Sequence, residues 1–491
     1  MIIFRKLAVL MCLAGIPMVS AGGPLVQSGD VSLRHDIQRL ADAGVIKGTI
    51  TTWPMAWGPI LADIEAADLS TATDDVLFAL ARVRQRARWE TAVDEVHYNA
   101  KIGISDNGRR IRSFENTPRG RAETSVGLSW IGERLSIDLN AQFVDSGIDD
   151  QEFRADNSMI GVAVGNWSVA ASTYERWWGP GWDGSLILSN NARPFPALVI
   201  DRLHTDPFES RWLSWLGPWD LSVMFGQLES DRVVPDAQFF GMRFNFRPLQ
   251  SLEIGLTRTA QWCGEGRPCD LTTFGNLLIG KDNRGGEGID LDNEPGNQLA
   301  GVDFRWAFSG FGESFAAYGQ FIGEDEAGGF PSRWMGQLGV EWSGVIRNRC
   351  SARAFAEYAG TSCQFYESSV IFDCAYEHGI YRTGYRFRGN SIGHGFDNDA
   401  EVVSAGVSLA DENDSRWRML LRTGELNRGG GAPNRNTITQ EPADLLSVDI
   451  AHSRAFWFGM LEAGVGYESI DRATSGTSSD FRLYVQWRTS Y

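Results

Sequence analysis

The stretch FRLYVQWRTSY, residues 481–491, closes the chain with two interleaved rows of side chains. Phe481, Leu483, Val485, Trp487, Thr489 and Tyr491 form one row, while Arg482, Tyr484, Gln486, Arg488 and Ser490 form the other. Because successive strand residues point to opposite faces, one face is apolar with an aromatic end and the other is polar and cationic. Two architectures accept such a strand. A soluble sandwich hides the apolar row against a second sheet, whereas a membrane barrel turns it to lipid and leaves the arginines in a wet interior.

The rest of the chain decides between them. From about Glu95 the apolar period is 2 and stays so: Val96, Tyr98, Ala100, Ile102 and Ile104 alternate with polar or small residues, as do Ile137, Leu139, Ala141 and Phe143. The same pattern recurs at Phe240, Met242, Phe244 and Phe246, and at Val302, Phe304, Trp306 and Phe308. About eighteen such segments of roughly ten residues are expected, the length and even number of a single-chain transmembrane barrel. Short and long connections should alternate, and this bookkeeping fails near 177–218 and 359–379, with Pro196 to Leu203 the expected missing strand. No interior stretch reaches the roughly 18 consecutive apolar residues of a spanning helix. The abundance of Gly (55), Trp (18) and Phe (27) suits strands that are apolar on one side only. A last strand ending on an aromatic also resembles the C-terminal strand of bacterial outer-membrane proteins, which serves as their assembly signal. The fold class is therefore all-β: a transmembrane antiparallel β-barrel of about 18 strands behind a small N-terminal α-helical bundle.

The N-terminus supplies an export address. Arg5 and Lys6 precede an apolar run from Leu7 to Val19, and Val19, Ser20 and Ala21 read as a signal-peptidase site, so cleavage is expected after Ala21. Residues 22–92 then show helical spacing. Ser32 is placed to cap a helix with Leu33, Ile37, Leu40 and Ala41 on one face and Gly44 at its end. A second helix carries Trp57, Ile60, Leu61 and Ile64, and a third follows Thr73 with Asp74 and Asp75 in its first turn. About 70 residues of this kind cannot stand on a core of their own. The domains expected are thus a signal peptide at 1–21, a periplasmic helical bundle at 22–92 and the barrel at 93–491.

A net charge of −17 argues against nucleic acid as a partner, and any polyanion must find a local basic patch. Five cysteines follow the signal segment. Cys263 and Cys269 bracket a short loop and are expected to form a disulfide in an exported protein, while Cys350, Cys363 and Cys374 allow three pairings. The Cys and His spacing does not suggest zinc.

Cations on the inward row are the first candidate for binding. Arg243 and Arg247 alternate with aromatics, Arg382, Arg386 and Arg388 alternate with Tyr381, Tyr385 and Phe387, and Arg416, Arg418 and Arg422 flank Trp417, Met419 and Leu421. A charge facing lipid near the midplane costs about 2–4 kcal/mol, so alternation sends these arginines into the lumen. There they either meet an acidic polysaccharide through bidentate contacts or close ladders with inward Asp138, Asp303 and Glu341. The second candidate is the stretch YERWWGPGWDGSLILSNNARPFPA, residues 174–197. Trp177, Trp178 and Trp182 can present indoles to sugar faces while Asp183, Asn190, Asn191 and Arg193 bond hydroxyls and acids. Alternatively the segment folds into the barrel as a plug, and the two readings differ in exposure.

The segment YERWWGPGWDGSLILSNNARPFPALVIDR and the early SLRHDIQRLADAGVIKGTITTWPMAW together resemble the Wzi family of capsule assembly outer-membrane proteins. That resemblance implies a barrel of about eighteen strands with a periplasmic helical bundle. It also implies a lectin-like role, anchoring and organising capsular polysaccharide at the surface of a Gram-negative cell. Its partners would be that acidic polymer, outer-membrane lipid and the barrel assembly machinery, with no cofactor. The loops 263–269 and 281–297 are expected to vary with capsule type. Two other functions compete: a porin or sugar channel, and a wall tether, since IQRLADAGVIKG at 37–48 is similar to part of a surface-layer homology repeat.

Catalysis is not expected. The six histidines are scattered and no G-x-S-x-G or H-E-x-x-H motif is present. His394 beside Asp397 reads as a solvated loop histidine, and Asp149 and Asp150 as loop carboxylates without positional constraint.

Overall fold

In this computed structural model residues 25–489 are described, except 150, 279–295, 311–312, 328–329, 347–349 and 431–434. The expected signal segment, Tyr491 and most of the 281–297 loop lie outside the described residues.

Alternating apolarity becomes an antiparallel meander of eighteen strands. The first six are β1 (Val96–Ser105), β2 (Ala122–Ile131), β3 (Leu135–Asp145), β4 (Met159–Val164), β5 (Trp167–Ser172) and β6 (Ala197–Arg202). Next come β7 (Trp219–Gln227), β8 (Gln238–Leu249), β9 (Leu252–Trp262), β10 (Gly296–Gly310), β11 (Glu313–Ala327) and β12 (Phe330–Ile346). The last are β13 (Cys350–Gly360), β14 (Glu401–Ala410), β15 (Arg416–Leu426), β16 (Ala443–Phe456), β17 (Gly459–Arg472) and β18 (Gly476–Thr489). Each pairs with its sequence neighbours, and β18 returns to β1 with Tyr484 opposite Ser105, which closes the barrel and removes both edges. The strand expected near Pro196 to Leu203 is β6. The reading of 381–388 as a wall strand is corrected: these residues lie in the long connection between β13 and β14. There only Arg386–Phe387 pair, with Asn390–Ser391, around left-handed Arg388 and Gly389. Tyr381, Tyr385 and Phe387 are buried inside rather than turned to lipid, so aromatics alternating with arginines in a packed loop imitated a wall pattern.

The two rows of the wall separate as their chemistry requires. Phe481 is 71% exposed and Arg482 beside it 5%, and Trp417 and Met419 are exposed on β15 where Arg422 is buried. Without water at membrane depth the outward row must be apolar. Arg258 on β9 is an outward exception. A short helix, α4 (Leu271–Leu278), lies against this wall with Leu277 buried beside Phe240 and Ala260. Its terminal carbonyls at Leu277 and Leu278 accept from the Arg258 guanidinium at 2.7 and 2.9 Å. The Cys263–Cys269 disulfide stands just ahead of this helix, and Cys363–Cys374 forms a second, leaving Cys350 free.

The barrel ends differ. One carries short turns such as Gln250–Ser251 and Trp457–Phe458; the other carries the long connections 106–121, 173–196, 361–400 and 427–442. Wall height also varies, from 6 residues in each of β4, β5 and β6 to 17 in β12.

The leader enters at the short-turn end. It comprises α1 (Val31–Asp42), α2 (Trp57–Ala66) and α3 (Asp74–Glu90). Asp30, not Ser32, caps α1, accepting from Ser32 N and Leu33 N at 3.1 Å, because the helix starts two residues earlier than expected. Gly44 sits at φ +78 just past the helix end. The apolar faces of all three helices meet in one cluster with Trp53, Phe114 and Trp177. The polar side of α1 grips the barrel interior: Asp42 pairs with Arg305 at 2.7 Å, and His35 Nδ1 accepts from Arg353 Nε at 2.9 Å.

Candidate functional site

The tryptophan-rich segment descends through the lumen from the long-loop end and joins the leader. Trp177 and Trp178 form a two-residue ladder with Trp53 and Thr52, and Gly179 N donates to Thr51 O at 3.0 Å. At its tip the Arg34 guanidinium of α1 donates to Pro180 O and Gly181 O at 2.8 Å. The same guanidinium lies 4.2 Å from the Trp182 ring centroid and 4.5 Å from that of Phe114. Cation–π contact in a desolvated setting strengthens this clasp. From the other side, the connection 361–400 folds inward over the segment. Tyr376 Oη donates to Leu186 O at 2.6 Å and Tyr385 Oη to Ile187 O at 2.8 Å. Leader, tryptophan segment and inward loop together fill the barrel.

Exposure therefore decides between the two readings of the motif. Trp177 and Trp178 are 0% exposed and Trp182 4%, so these indoles present no face to a ligand. Trp182 Nε1 donates to Glu341 at 2.7 Å and its ring stacks on Phe355. The polar residues of the motif are likewise occupied. Asp183 is forked by Arg422 and accepts from Ser404 Oγ at 2.5 Å. Asn190 Nδ2 donates to Phe114 O, and Asn191 bridges Arg112 N and Ser391 O. Arg193 pairs with Asp149 at 2.8 Å and Asp156 at 2.7 Å, which also gives Asp149 a defined place.

Several inward arginines close ladders, while Arg247 donates to the backbone carbonyls of Ile46 and Gly48 in the leader. Arg243 meets Asp303 at 2.5 Å, Arg353 meets Glu341 at 2.6 Å, and Arg386 meets Asp397 at 2.7 Å. Arg418 meets Glu462 at 2.8 Å. Asp138 departs from the expected ladder, accepting from Tyr174 Oη and Gln27 Nε2 instead of an arginine. Arg382 is exposed on the inward loop rather than set in a wall strand. A guanidinium already held by a carboxylate offers few donors to an incoming acid, so the lumen of this acidic protein is neutralised from within.

His394 is buried, not solvated. Its Nδ1 accepts from Phe396 N, its Nε2 has no hydrogen-bond partner, and burial pushes its pKa down to about 4 despite nearby Asp183. The ring lies over Gly184, where an added Cβ would come within 1.9 Å of it. Asp397, its sequence neighbour, is engaged with Arg386 instead. Burial raises the Asp183 carboxyl, but Arg422 outweighs that and holds it below the usual range. Among the described residues no group of three or more His, Cys, Asp or Glu side chains is arranged to hold a metal.

Two of the open spaces stand at opposite ends of the barrel. One, of about 190 Å³, lies between the leader and the wall of β1 to β4, lined by Glu90, Lys101, Glu123, Asp138 and Asp156 among others. The other opens at the long-loop end among Arg110, Gln440 and Arg472. The sequence reading passes over both arginines. Arg472 extends the inward row of β17 through Glu468 and Ile470, a signal available from alternation; Arg110 sits in a loop where no period operates.

Comparison with known proteins agrees with this architecture. The family model described as capsule assembly protein Wzi matches residues 97–480. An uncharacterised 55.8 kDa protein of the cps region of Klebsiella pneumoniae is 31% identical over 424 residues, spanning 83% of this chain and 78% of that protein. Among solved structures the chain is similar to Wzi of Escherichia coli, described as a carbohydrate-binding β-barrel of the outer membrane involved in group 1 capsule assembly. The TM-score is 0.82 at 26% identity, covering 95% of this chain and 99% of that one.

Proposed function

Because the chain belongs to the Wzi family of capsule assembly proteins, we propose that it is a non-catalytic lectin of the outer membrane, holding capsular polysaccharide at its extracellular end. In outer-membrane barrels short turns face the periplasm and long loops the exterior, which puts the leader on the inner side and the connections 106–121, 361–400 and 427–442 outside.

The observation that carries this reading is the filled, self-neutralised lumen. A porin needs a wet path, but here Trp177, Trp178, Tyr376, Tyr381 and Tyr385 are fully buried along the axis. The surfaces left for a polymer are those between the outer loops. The tryptophan segment then serves to hold leader and outer loop together, so its substitution acts on stability before binding. A wall tether is disfavoured because Ile37, Leu40, Ala41 and Ile46 of the repeat-like phrase are buried. The lipid belt and the terminal strand presented to the barrel assembly machinery complete the set of partners.

Deleting the gene tests the proposal. Capsular polymer should still be made but appear in the medium; capsule retained on the deletion strain refutes it. Purified protein in planar bilayers should show little single-channel current, and a steady porin-like conductance would favour the channel alternative.

A further inference from the structure

The extracellular end keeps an open cleft of about 530 Å³, bounded by Arg110 of the first outer loop, Thr437 to Glu441 of the loop between β15 and β16, and Arg472 with Ser475 of the last hairpin. Small-ligand clefts range over about 300–1,000 Å³, so this one admits a sugar residue. Its two cations differ from the ion-paired arginines below, such as Arg243, Arg353 and Arg422. Arg110 Nη1 donates to Thr437 O at 3.0 Å and Arg472 Nη1 to Ser478 Oγ at 2.7 Å; both partners are neutral, and neither guanidinium forms an ion pair with a described residue. Each fork has five N–H donors, so most of each remains available.

The one carboxylate in the lining, Glu441, is bonded to the hairpin tip, near enough for the Arg472 charge to act on it but without an ion pair between them. There it accepts from Thr474 N at 2.6 Å and Ser475 N at 3.1 Å. The floor is fixed rather than loose: Thr437 donates from N and Oγ1 to Asp397, which Arg386 in turn grips. A preformed floor lowers the ordering cost of binding.

Resting on the function proposed above, we propose that the Arg110–Arg472 cleft seats a carboxylate-bearing sugar residue of the polymer. The two guanidiniums clamp the acid, and the Gln440 amide and Thr437 face the ring hydroxyls. This is the local basic patch that a protein of net charge −17 needs in order to hold a polyanion.

The test uses the full-length protein in detergent. Its ligands are capsular polysaccharide from the producing strain and the same polymer after chemical reduction of its carboxylates. Wild type should bind the native polymer with an affinity that falls as salt rises, and bind the reduced polymer at least tenfold more weakly. The R110Q/R472Q variant, with heat-modifiable gel mobility unchanged, should bind the native polymer only as well as wild type binds the reduced one. Equal binding of both polymers by wild type, or native binding undiminished in the variant, overturns the cleft while leaving the lectin reading intact. Wild type that binds neither polymer overturns both.

Discussion

Arg422 and Arg472 stand on inward rows of strands two apart, β15 and β17, yet they offer a ligand very different things. Arg422 is 1% exposed, forked around Asp183, bonded to Ser113 Oγ and within 3.3 Å of Asp449. Arg472 lies near the rim with one hydroxyl partner. An inward cation is therefore no guide to anion binding until the carboxylates around it are counted. Arg422 is matched by the carboxylates of plug and wall, whereas Arg472 at the outer rim has no ion-pair partner among the described residues.

The largest effect that could break this contrast is at Arg422. Truncation by Arg422→Ala leaves Asp183 buried without its counter-charge and should cost about 3–5 kcal/mol, read as a fall in the unfolding transition or loss of heat-modifiable mobility. An unchanged transition would mean that the lumen ladder is not structural. Next is a charge moved by one residue. Arg418 is accommodated inside, but Met419→Arg on the lipid side should destabilise by about 2–4 kcal/mol, measured by reversible urea unfolding in lipid vesicles.

A third test is pH. His394 is neutral when buried, its pKa depressed to about 4, whereas an unfolded imidazole titrates near 6.5. The unfolded state thus takes up the proton first, so the contribution is full above the unfolded value and is lost as pH falls toward the folded one. Between pH 7 and pH 5 the loss is about 2 kcal/mol. His394→Gln should flatten that slope; an identical slope in the variant assigns the pH response elsewhere. Smallest is Arg110→Gln, expected to leave stability within about 0.5 kcal/mol of wild type, as for an exposed side chain without an ion pair. A larger loss in thermal unfolding would place Arg110 with the lumen set.

The outward face of the wall was legible because lipid permits one solution only, an unbroken apolar row. β1, β3, β10 and β18 could be read residue by residue for that reason. The inward row is ambiguous, since Arg243 reads the same whether it waits for a ligand or is already held by Asp303, 60 residues further along. Residues 381–388 misled because their aromatics alternate with arginines in sequence as on a wall strand, whereas the packed loop buries Tyr385, Arg386 and Phe387 alike. The tryptophan motif left two readings open for a related reason: three indoles beside Gly179 and Pro180 describe a rigid turn, and nothing in the stretch itself states which medium the turn enters. Asp183 lies 239 residues from its partner Arg422, a separation no local pattern reports. Arg258 shows the converse, an outward charge made tolerable by α4 about twenty residues later.

The uneven wall has a consequence for the host envelope. Six residues in β4, β5 and β6 span only about 20 Å even before tilt, against an apolar band of about 25 Å in barrels of this class. Acyl chains bordering that arc must compress or splay, while those beside β10 to β12 need not. Trp212 and Trp215, exposed in the connection just below, are placed to meet head groups drawn toward them. The molecule should consequently lean and crowd thinner patches, and in bilayers of stepped acyl length its thermal stability should peak at a shorter chain than that of an evenly tall barrel.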